Sequence, residues 1–220
     1  MYTGIVQGAV GVTRVVDRPG LKSFSVELPA YLLGDLEIGA SVAVDGVCLT
    51  VTAIDGRDVA FDAIQETQER TTLGRVESGS RVNVERSAKA GAEIGGHEIS
   101  GHIDGTVRIV EIERDDNNCI LTFKAPSEYM KYVFSKGFIA LNGCSLTVVD
   151  VDRHASTFTV HLIPETLRAT TFGEKQTGDD ANFEIERKTQ VIVDTVRDFL
   201  RQHAEDGTLG DLASVSASCV

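Results

Sequence analysis

The chain repeats itself at domain length, and that repetition restricts its fold more than any other feature. "DGVCLTV" at 45–51 returns as "NGCSLTV" at 142–148, so Ser145 falls on Cys48 at an offset of 97 (145 − 48). The same offset lays "SGHIDG" (100–105) over "TGIVQG" (3–8), matching Gly101 to Gly4 and Gly105 to Gly8. Further on, "ETLRATTFG" (165–173) covers "ETQERTTLG" (66–74) at an offset of 99 (165 − 66), and "NFE" (182–184) covers "NVE" (83–85). Matched blocks in one order, with a two-residue length change between the second and third, describe a duplicated domain. The period is far too long for a solenoid and suits a compact domain.

Each copy reads as all-β. "SVAVDGVCLTVTAI" alternates apolar and polar positions around Asp45-Gly46, a dipeptide that favours a tight hairpin because both residues tolerate positive φ. "DVAFDAI" (58–64) and "STFTVHLI" (156–163) alternate in the same way. Short strands between Gly-containing turns predict a small barrel or sandwich per copy, closed so that its edges are hidden. The expected organisation is a first domain over 1–96, a second over 97–187, a helix over 188–203 and a disordered tail over 204–220. "SAKAGAEIGGHE" (87–98) is the natural linker, and the tail is small, polar and Gly/Ser-rich. In the helix, Ile192, Val193, Val196, Phe199 and Leu200 share one face. That face either covers its own barrel or joins copies of the protein.

Charge and cysteine usage remove several function classes. A net charge of −12 opposes a nucleic-acid partner, which requires clustered Lys and Arg. No apolar run approaches the roughly 20 residues of a membrane helix, and the start has no signal-peptide pattern. Cys48, Cys119, Cys144 and Cys219 lie far apart with no CxxC pair, which fits a reducing, cytoplasmic setting and no structural metal. His97 and His102, five residues apart on a strand, would point to opposite faces, and no further ligand completes a metal set. No strand-to-helix Gly-x-Gly-x-x-Gly run supports a nucleotide-binding reductase domain.

The blocks "MYTGIVQG", "GASVAVDGVCLTVT", "GGHEISGHIDG", "MKYVFSKGFIALNGCSLTV" and "HLIPETLRATTFG" together resemble riboflavin synthases of the alpha-chain type over about residues 1–200. The resemblance implies two tandem six-stranded Greek-key barrels and a C-terminal α-helix that assembles a homotrimer, with sites between subunits. It implies no cofactor and no metal. It also implies dismutation of two 6,7-dimethyl-8-ribityllumazine molecules by four-carbon transfer, giving riboflavin and 5-amino-6-(ribitylamino)uracil. Two similar pockets are what a reaction between two identical molecules needs, and orienting both converts a bimolecular encounter into an intramolecular one. Donor and acceptor must nevertheless be treated differently: one loses a proton from its 7-methyl group and the other accepts a nucleophile at ring carbon 7. The duplication breaks its own symmetry where this matters, with Cys48 against Ser145, His102 against Ile5, His161 against Asp62, and His97 without a counterpart.

By resemblance, the substrate-binding positions of the first barrel are Gly4, Ile5, Val6 and Ser41, then Cys48, Leu49 and Thr50. Asp62, Ala63, Ile64, Gln65, Glu66 and Thr67 complete that set. Those of the second are Gly101, His102 and Ile103, then Lys136, then Ser145, Leu146 and Thr147, and finally Leu162, Ile163, Pro164, Glu165, Thr166 and Leu167. Candidate catalytic residues are Cys48, His102, Ser145, Thr147 and His97. His102 would shuttle protons near neutral pH, against the plainer reading of a structural His in a Gly-rich turn. Cys48 could hold a nucleophile, add to the ring, or fill space as a small apolar group. Two positions depart from the family pattern: Asn142 stands where Asp is usual, and Glu186 where Asp often follows the last strand. The alternative function on the same fold is that of a lumazine protein, which carries one chromophore without turnover.

Overall fold

The computed structural model describes residues 1–115 and 118–205; the tail expected over 204–220 lies almost wholly outside them, as does Cys219. The chain divides into two units, one running Met1–Ile185 and the other beginning at Glu186. The first unit holds two closed six-stranded antiparallel barrels. In barrel one, β1 (Gly8–Arg18), β2 (Leu21–Glu27), β3 (Ser41–Val44), β4 (Val47–Asp55), β5 (Asp58–Ile64) and β6 (Arg81–Arg86) close in the order β1-β2-β5-β4-β3-β6. In barrel two, β7 (Gly105–Arg114), β8 (Cys119–Lys124), β9 (Phe138–Leu141), β10 (Cys144–Asp152), β11 (Thr157–Leu162) and β12 (Asp180–Ile185) repeat that cyclic order. Short helices fill the connections: α1 (Ala30–Leu33) follows β2, and α2 (Gln65–Arg70) after β5 and α3 (Pro164–Ala169) after β11 are repeat equivalents.

Local chemistry explains why the strands bend and turn where they do. The register slips between Val12 and Arg14 in β1 and between Val51 and Ala53 in β4. It slips again at the repeat-equivalent positions, Ile109/Glu111 in β7 and Val148/Val151 in β10. Such bulges bend a strand and let a small sheet close on itself. The β3–β4 turn holds Asp45 at φ 45 and Gly46 at φ 80, and the β9–β10 turn holds Asn142 at φ 44 and Gly143 at φ 77, as a two-residue hairpin of this kind requires. The two extra residues of the second copy sit in one turn: β4 and β5 are joined by residues 56–57, β10 and β11 by residues 153–156.

Strand alternation fills each barrel. Val10, Val12, Phe24, Val26, Leu49, Val51, Val59, Phe61 and Ala63 belong to the first core. Phe123, Phe158 and Phe172 anchor the second, with Phe123 stacked on Phe158 at 5.5 Å between ring centroids. Each buried valine, leucine or phenylalanine among them contributes about 1.5–3 kcal/mol. Core side chains thus fill the barrel interiors, and the outward-facing positions are the ones open to a ligand.

The barrels dock through a seam of exchanged amide contacts in which every bond has a repeat-equivalent mate. Within each barrel one bond sets the turn that faces the seam: Asn83 N–H donates to Asp45 Oδ1 (2.8 Å) and Asn182 N–H to Asn142 Oδ1 (2.7 Å). The Asn83 side-chain amide donates to the Asn142 carbonyl (3.0 Å), and that of Asn182 to the Asp45 carbonyl (2.9 Å). Their Oδ1 atoms accept from Thr171 N–H (2.8 Å) and Thr72 N–H (2.7 Å). A Cβ on Gly46 would stand 2.6 Å from the Gly143 nitrogen, so only glycine permits this approach. Outside the amide core, Arg75 pairs with Asp180 (2.7 Å) and Arg81 with Glu174 (2.6 Å).

The second unit contains α4 (Arg187–Glu205). The Glu186 carboxylate accepts from the Thr189 hydroxyl and the Glu186 carbonyl from Gln190 N–H, which secures the first turn. Its apolar residues Val191, Ile192, Val196, Phe199 and Leu200 are exposed.

Candidate active site

The site begins with two glycines and two glutamates. Gly4 and Gly101 sit at φ 77 and 83 in the segments that lead into each barrel. Glu85 on β6 accepts from the Thr3 N–H, the Thr3 hydroxyl and the Gly4 N–H at 2.7, 2.8 and 3.1 Å. Glu184 on β12 does the same for Ser100 and Gly101 at 2.8, 2.7 and 2.9 Å. Burial pushes the Glu85 carboxyl up, and the donors of Thr3 and Gly4 partly offset it. Tyr2 and Ile99 pair with each other in an antiparallel bridge between the two lead segments.

The lead segments then cross. Gly4 O accepts from Ser145 N–H of barrel two, and Gly101 O accepts from Cys48 N–H of barrel one, both at 2.9 Å. A Cβ on Gly4 would stand 2.5 Å from Ser145 Cβ, and one on Gly101 would stand 2.6 Å from Cys48 Cβ. The first lead segment, with Gly4, Ile5 and Val6, thus belongs beside Ser145, and the second, with Gly101, His102 and Ile103, beside Cys48. This corrects the grouping by barrel that sequence order implied. A second correction concerns the two histidines: apart from the bridge at Ile99, residues 95–104 form no strand, so strand alternation does not set their directions. His97 is buried against Ser145 and Phe138, and His102 is exposed.

Around Cys48 the crossing leaves a cavity of about 210 Å³ lined by Val47, Cys48, Glu66, Thr67, Arg70, Thr71, Gly101, His102 and Ile103. Of the expected residues of this half, Cys48 and Thr50 on β4 and Asp62 and Ile64 on β5 face outward by strand alternation, while Leu49 and Ala63 fill the core. Leu49 and Ala63 can therefore offer only backbone groups to a ligand. Ser41 is paired with Thr50 across β3–β4. Gln65, Glu66 and Thr67 form the first turn of α2, after the exposed Ile64.

The Ser145 half repeats this wall with different chemistry. Ser145 and Thr147 face outward, while Leu146 and Leu162 are buried in the barrel. Ile163 is exposed at the start of α3, followed by Pro164, Glu165, Thr166 and Leu167, and Glu165 is tied to Arg168. Lys136, exposed at φ 67, takes the position that Gly39 (φ 91) occupies in barrel one. A lysine in the left-handed region is strained backbone, the kind of conformation that clusters at functional sites. His97 Nδ1 lies 2.6 Å from Ser145 Oγ, and the His97 ring stacks on Phe138 with centroids 5.2 Å apart. A Cβ on Gly96 would meet Ser145 Cβ at 2.5 Å, so the Gly96–His97 end of the linker is clasped onto this half.

Sequence reading missed Tyr2, whose hydroxyl donates to Cys48 Sγ at 3.1 Å. It also missed the clasping carboxylates of Glu85 and Glu184, although the "NVE"/"NFE" match carried them. Asn142 lies in the seam, 1% exposed, as the counterpart of Asp45. Burial pushes the Cys144 thiol up to about 12 and the Asp45 carboxyl up to about 6. Cys48, Cys119 and Cys144 are free thiols. Among the described residues, no group of three or more His, Cys, Asp or Glu is placed to hold a metal ion.

The lumazine binding domain matches residues 3–87 and again 100–186. A riboflavin synthase of Escherichia coli (strain K12) is 49% identical over 197 residues, covering 89% of this chain and 92% of its own. One from Chlamydia pneumoniae is 41% identical over 206 residues, covering 94% of this chain and 100% of its own. Among solved structures, LumP complexed with 6,7-dimethyl-8-(1'-D-ribityl) lumazine superposes with a TM-score of 0.77 at 25% identity, covering 84% of this chain and 99% of LumP. LumP complexed with riboflavin gives 0.78 at 27%, covering 84% and 100%.

Proposed function

This chain belongs to the riboflavin synthase family, built on two tandem lumazine-binding domains, and on that premise we propose how its two halves divide the reaction. It is an enzyme of riboflavin biosynthesis that dismutates two 6,7-dimethyl-8-ribityllumazine molecules by four-carbon transfer, giving riboflavin and 5-amino-6-(ribitylamino)uracil. The observation that carries the division of labour is the crosswise exchange. Equivalent backbone clasps, Gly101 on Cys48 and Gly4 on Ser145, build two equivalent outer walls with unequal side chains.

One pteridine lies on each wall. Exposed aliphatic residues, Ile64 on one and Ile163 on the other, give the flat ring an apolar contact. The outward hydroxyls of Thr50 and Thr147 and nearby backbone amides hydrogen-bond its edge and ribityl chain. Holding both rings in register removes about 7–11 kcal/mol of barrier when alignment is good. On the Cys48 wall, exposed His102 takes or returns the methyl proton. On the other wall, His97 beside Ser145 Oγ orients that hydroxyl toward the ring and can exchange its proton.

The reacting pair forms between the Cys48 wall of one subunit and the Ser145 wall of a neighbour, in a cytoplasmic homotrimer. Two features support this assembly. The Cys48 cavity, about 210 Å³, is smaller than the ~300 Å³ at which ligand pockets begin, so a neighbour is needed to enclose the ring. α4 also carries exposed Val191, Ile192, Val196, Phe199 and Leu200, which a second copy would cover. Among the described residues, no helix is long and apolar enough to cross a membrane.

The alternative, a chromophore carrier, is favoured by the likeness to LumP. Against it, the second half keeps Ser145, Thr147, Lys136 and Thr166 on its wall. The deciding experiment adds the lumazine to chelator-treated protein and follows flavin absorbance. One riboflavin formed for every two lumazines consumed, over many turnovers, is the expected result. Stoichiometric binding without flavin formation would establish the carrier instead.

A further inference from the structure

We infer that Tyr2 is a positioning residue for the Cys48 wall, acting through a buried hydrogen bond from its hydroxyl to the Cys48 sulfur. This rests on the reading of that wall as one of the two pteridine sites. Tyr2 is 1% exposed and packs with Ala43, Ile99 and Ala140 beneath Cys48. A buried phenol must find an acceptor, and here the acceptor is the thiol sulfur at 3.1 Å. Burial first, and the Cys48 bond second, drive the Tyr2 hydroxyl far above its ordinary titration range. It therefore stays protonated and remains the donor at any working pH. The sulfur is thus held from the core side, while its residue lines the cavity shared with Thr67 and His102.

The repeat supplies the internal comparison. Tyr2 and Ile99 are bridge partners, and each lies under the hairpin residue of one barrel: a Cβ on Gly101 would meet Cys48 and the Tyr2 ring, and one on Gly4 would meet Ser145 and the Ile99 side chain. Under Cys48 stands a hydroxyl donor. Under Ser145 stands a hydrocarbon, and that hydroxyl instead meets His97 Nδ1 from the linker. The duplicated walls are thus made unequal from opposite sides, one by the core and one by the linker. A phenol-held sulfur on one wall and a histidine-held hydroxyl on the other give donor and acceptor molecules different surroundings although the backbone clasps are the same.

Tyr2→Phe keeps the ring and its packing and removes only the bond, so the test compares wild type, Tyr2→Phe, Cys48→Ala and the double variant in turnover and melting temperature. With Cys48 present, Tyr2→Phe should lower kcat roughly fivefold, the factor that one ordinary hydrogen bond gives, with little change in KM. In the Cys48→Ala background the same replacement should leave turnover unchanged and raise the melting temperature, because the phenol there has no acceptor. Full turnover by Tyr2→Phe, or equal losses in both backgrounds, would overturn the inference. If Cys48→Ala turns over too slowly to rate, the melting-temperature cycle decides whether the bond exists and Tyr2→Phe alone decides whether it serves turnover. Wild-type protein that binds lumazine without making riboflavin would sink the functional reading itself, a result separate from either of these.

Discussion

Replacing Asp45 with Asn should change the shape of the protein's stability-versus-pH curve. Asp45 is buried in the barrel seam, and desolvation raises its carboxyl from 3.8 to about 6, with the Asn83 N–H and Lys175 acting in the opposite direction. Because the folded-state value lies above the unfolded one, the folded protein binds this proton more tightly. Its contribution is fully present below about pH 4 and is lost as pH rises through about 6. At about 1.4 kcal/mol per pH unit, that loss amounts to about 3 kcal/mol. The protein carries its own control at the equivalent turn. Asn142 has nearly the same φ, and its Oδ1 accepts the Asn182 N–H at 2.7 Å just as Asp45 Oδ1 accepts the Asn83 N–H at 2.8 Å. Asparagine at 45 therefore keeps the bond and removes the charge. Asn142 Nδ2 is buried without a hydrogen-bond partner, and a second such amide would cost about 1–3 kcal/mol at every pH. That constant shifts the curve and leaves its slope alone. Denaturant titrations at fixed protein concentration should find the variant less stable than wild type by about 1–3 kcal/mol near pH 4, and equal to it or up to about 2 kcal/mol more stable near pH 8. A stability difference that stays flat across this range, or falls with pH, would refute the account of Asp45 as a carboxylate titrating inside the seam.

Other perturbations separate the seam, the wall and the helix. Gly46→Ala should cost more than about 3 kcal/mol by melting, because its Cβ would press on the Gly143 backbone; Gly20→Ala, at φ 74 in open space, should cost only about 1 kcal/mol. Similar losses at both sites would argue that the seam is not tightly closed. His102→Ala should lower kcat by about 10²-fold while shifting stability by no more than about 0.5 kcal/mol, and unchanged turnover would remove His102 from proton transfer. Deleting residues 188–220 should yield folded barrels that sediment as monomers with little activity; a fully active monomer would end the between-subunit model.

Much of the barrel was legible because its causes are local. Alternation marked the strand faces, and Asp45-Gly46 and Asn142-Gly143 marked two hairpins whose positive φ values the structure reproduces. The change of offset from 97 to 99 corresponds to the longer turn over 153–156. Closure into barrels of identical strand order also follows from repeating one pattern twice. At the site, the same alternation separates outward Cys48, Thr50, Ser145 and Thr147 from Leu49 and Leu146 in the cores.

What periodicity cannot carry is the choice of partner between equivalent copies. A duplicated chain offers each lead segment two nearly identical docking places, its own barrel or the other, and both satisfy the same local pattern. The sequence by itself therefore determined the repeat, the strands, the turns and the kinds of side chain on each wall. Only the tertiary structure decided that Gly4 serves Ser145 and Gly101 serves Cys48, that Asn142 belongs to the seam, and that Tyr2 reaches the Cys48 sulfur. Those outcomes depend on how the lead segments pass one another at the Tyr2–Ile99 bridge and on the close approach of Gly46 to Gly143. Both are contacts between residues about 97 apart, whose formation is set by packing of the two finished barrels rather than by the preference of any single stretch.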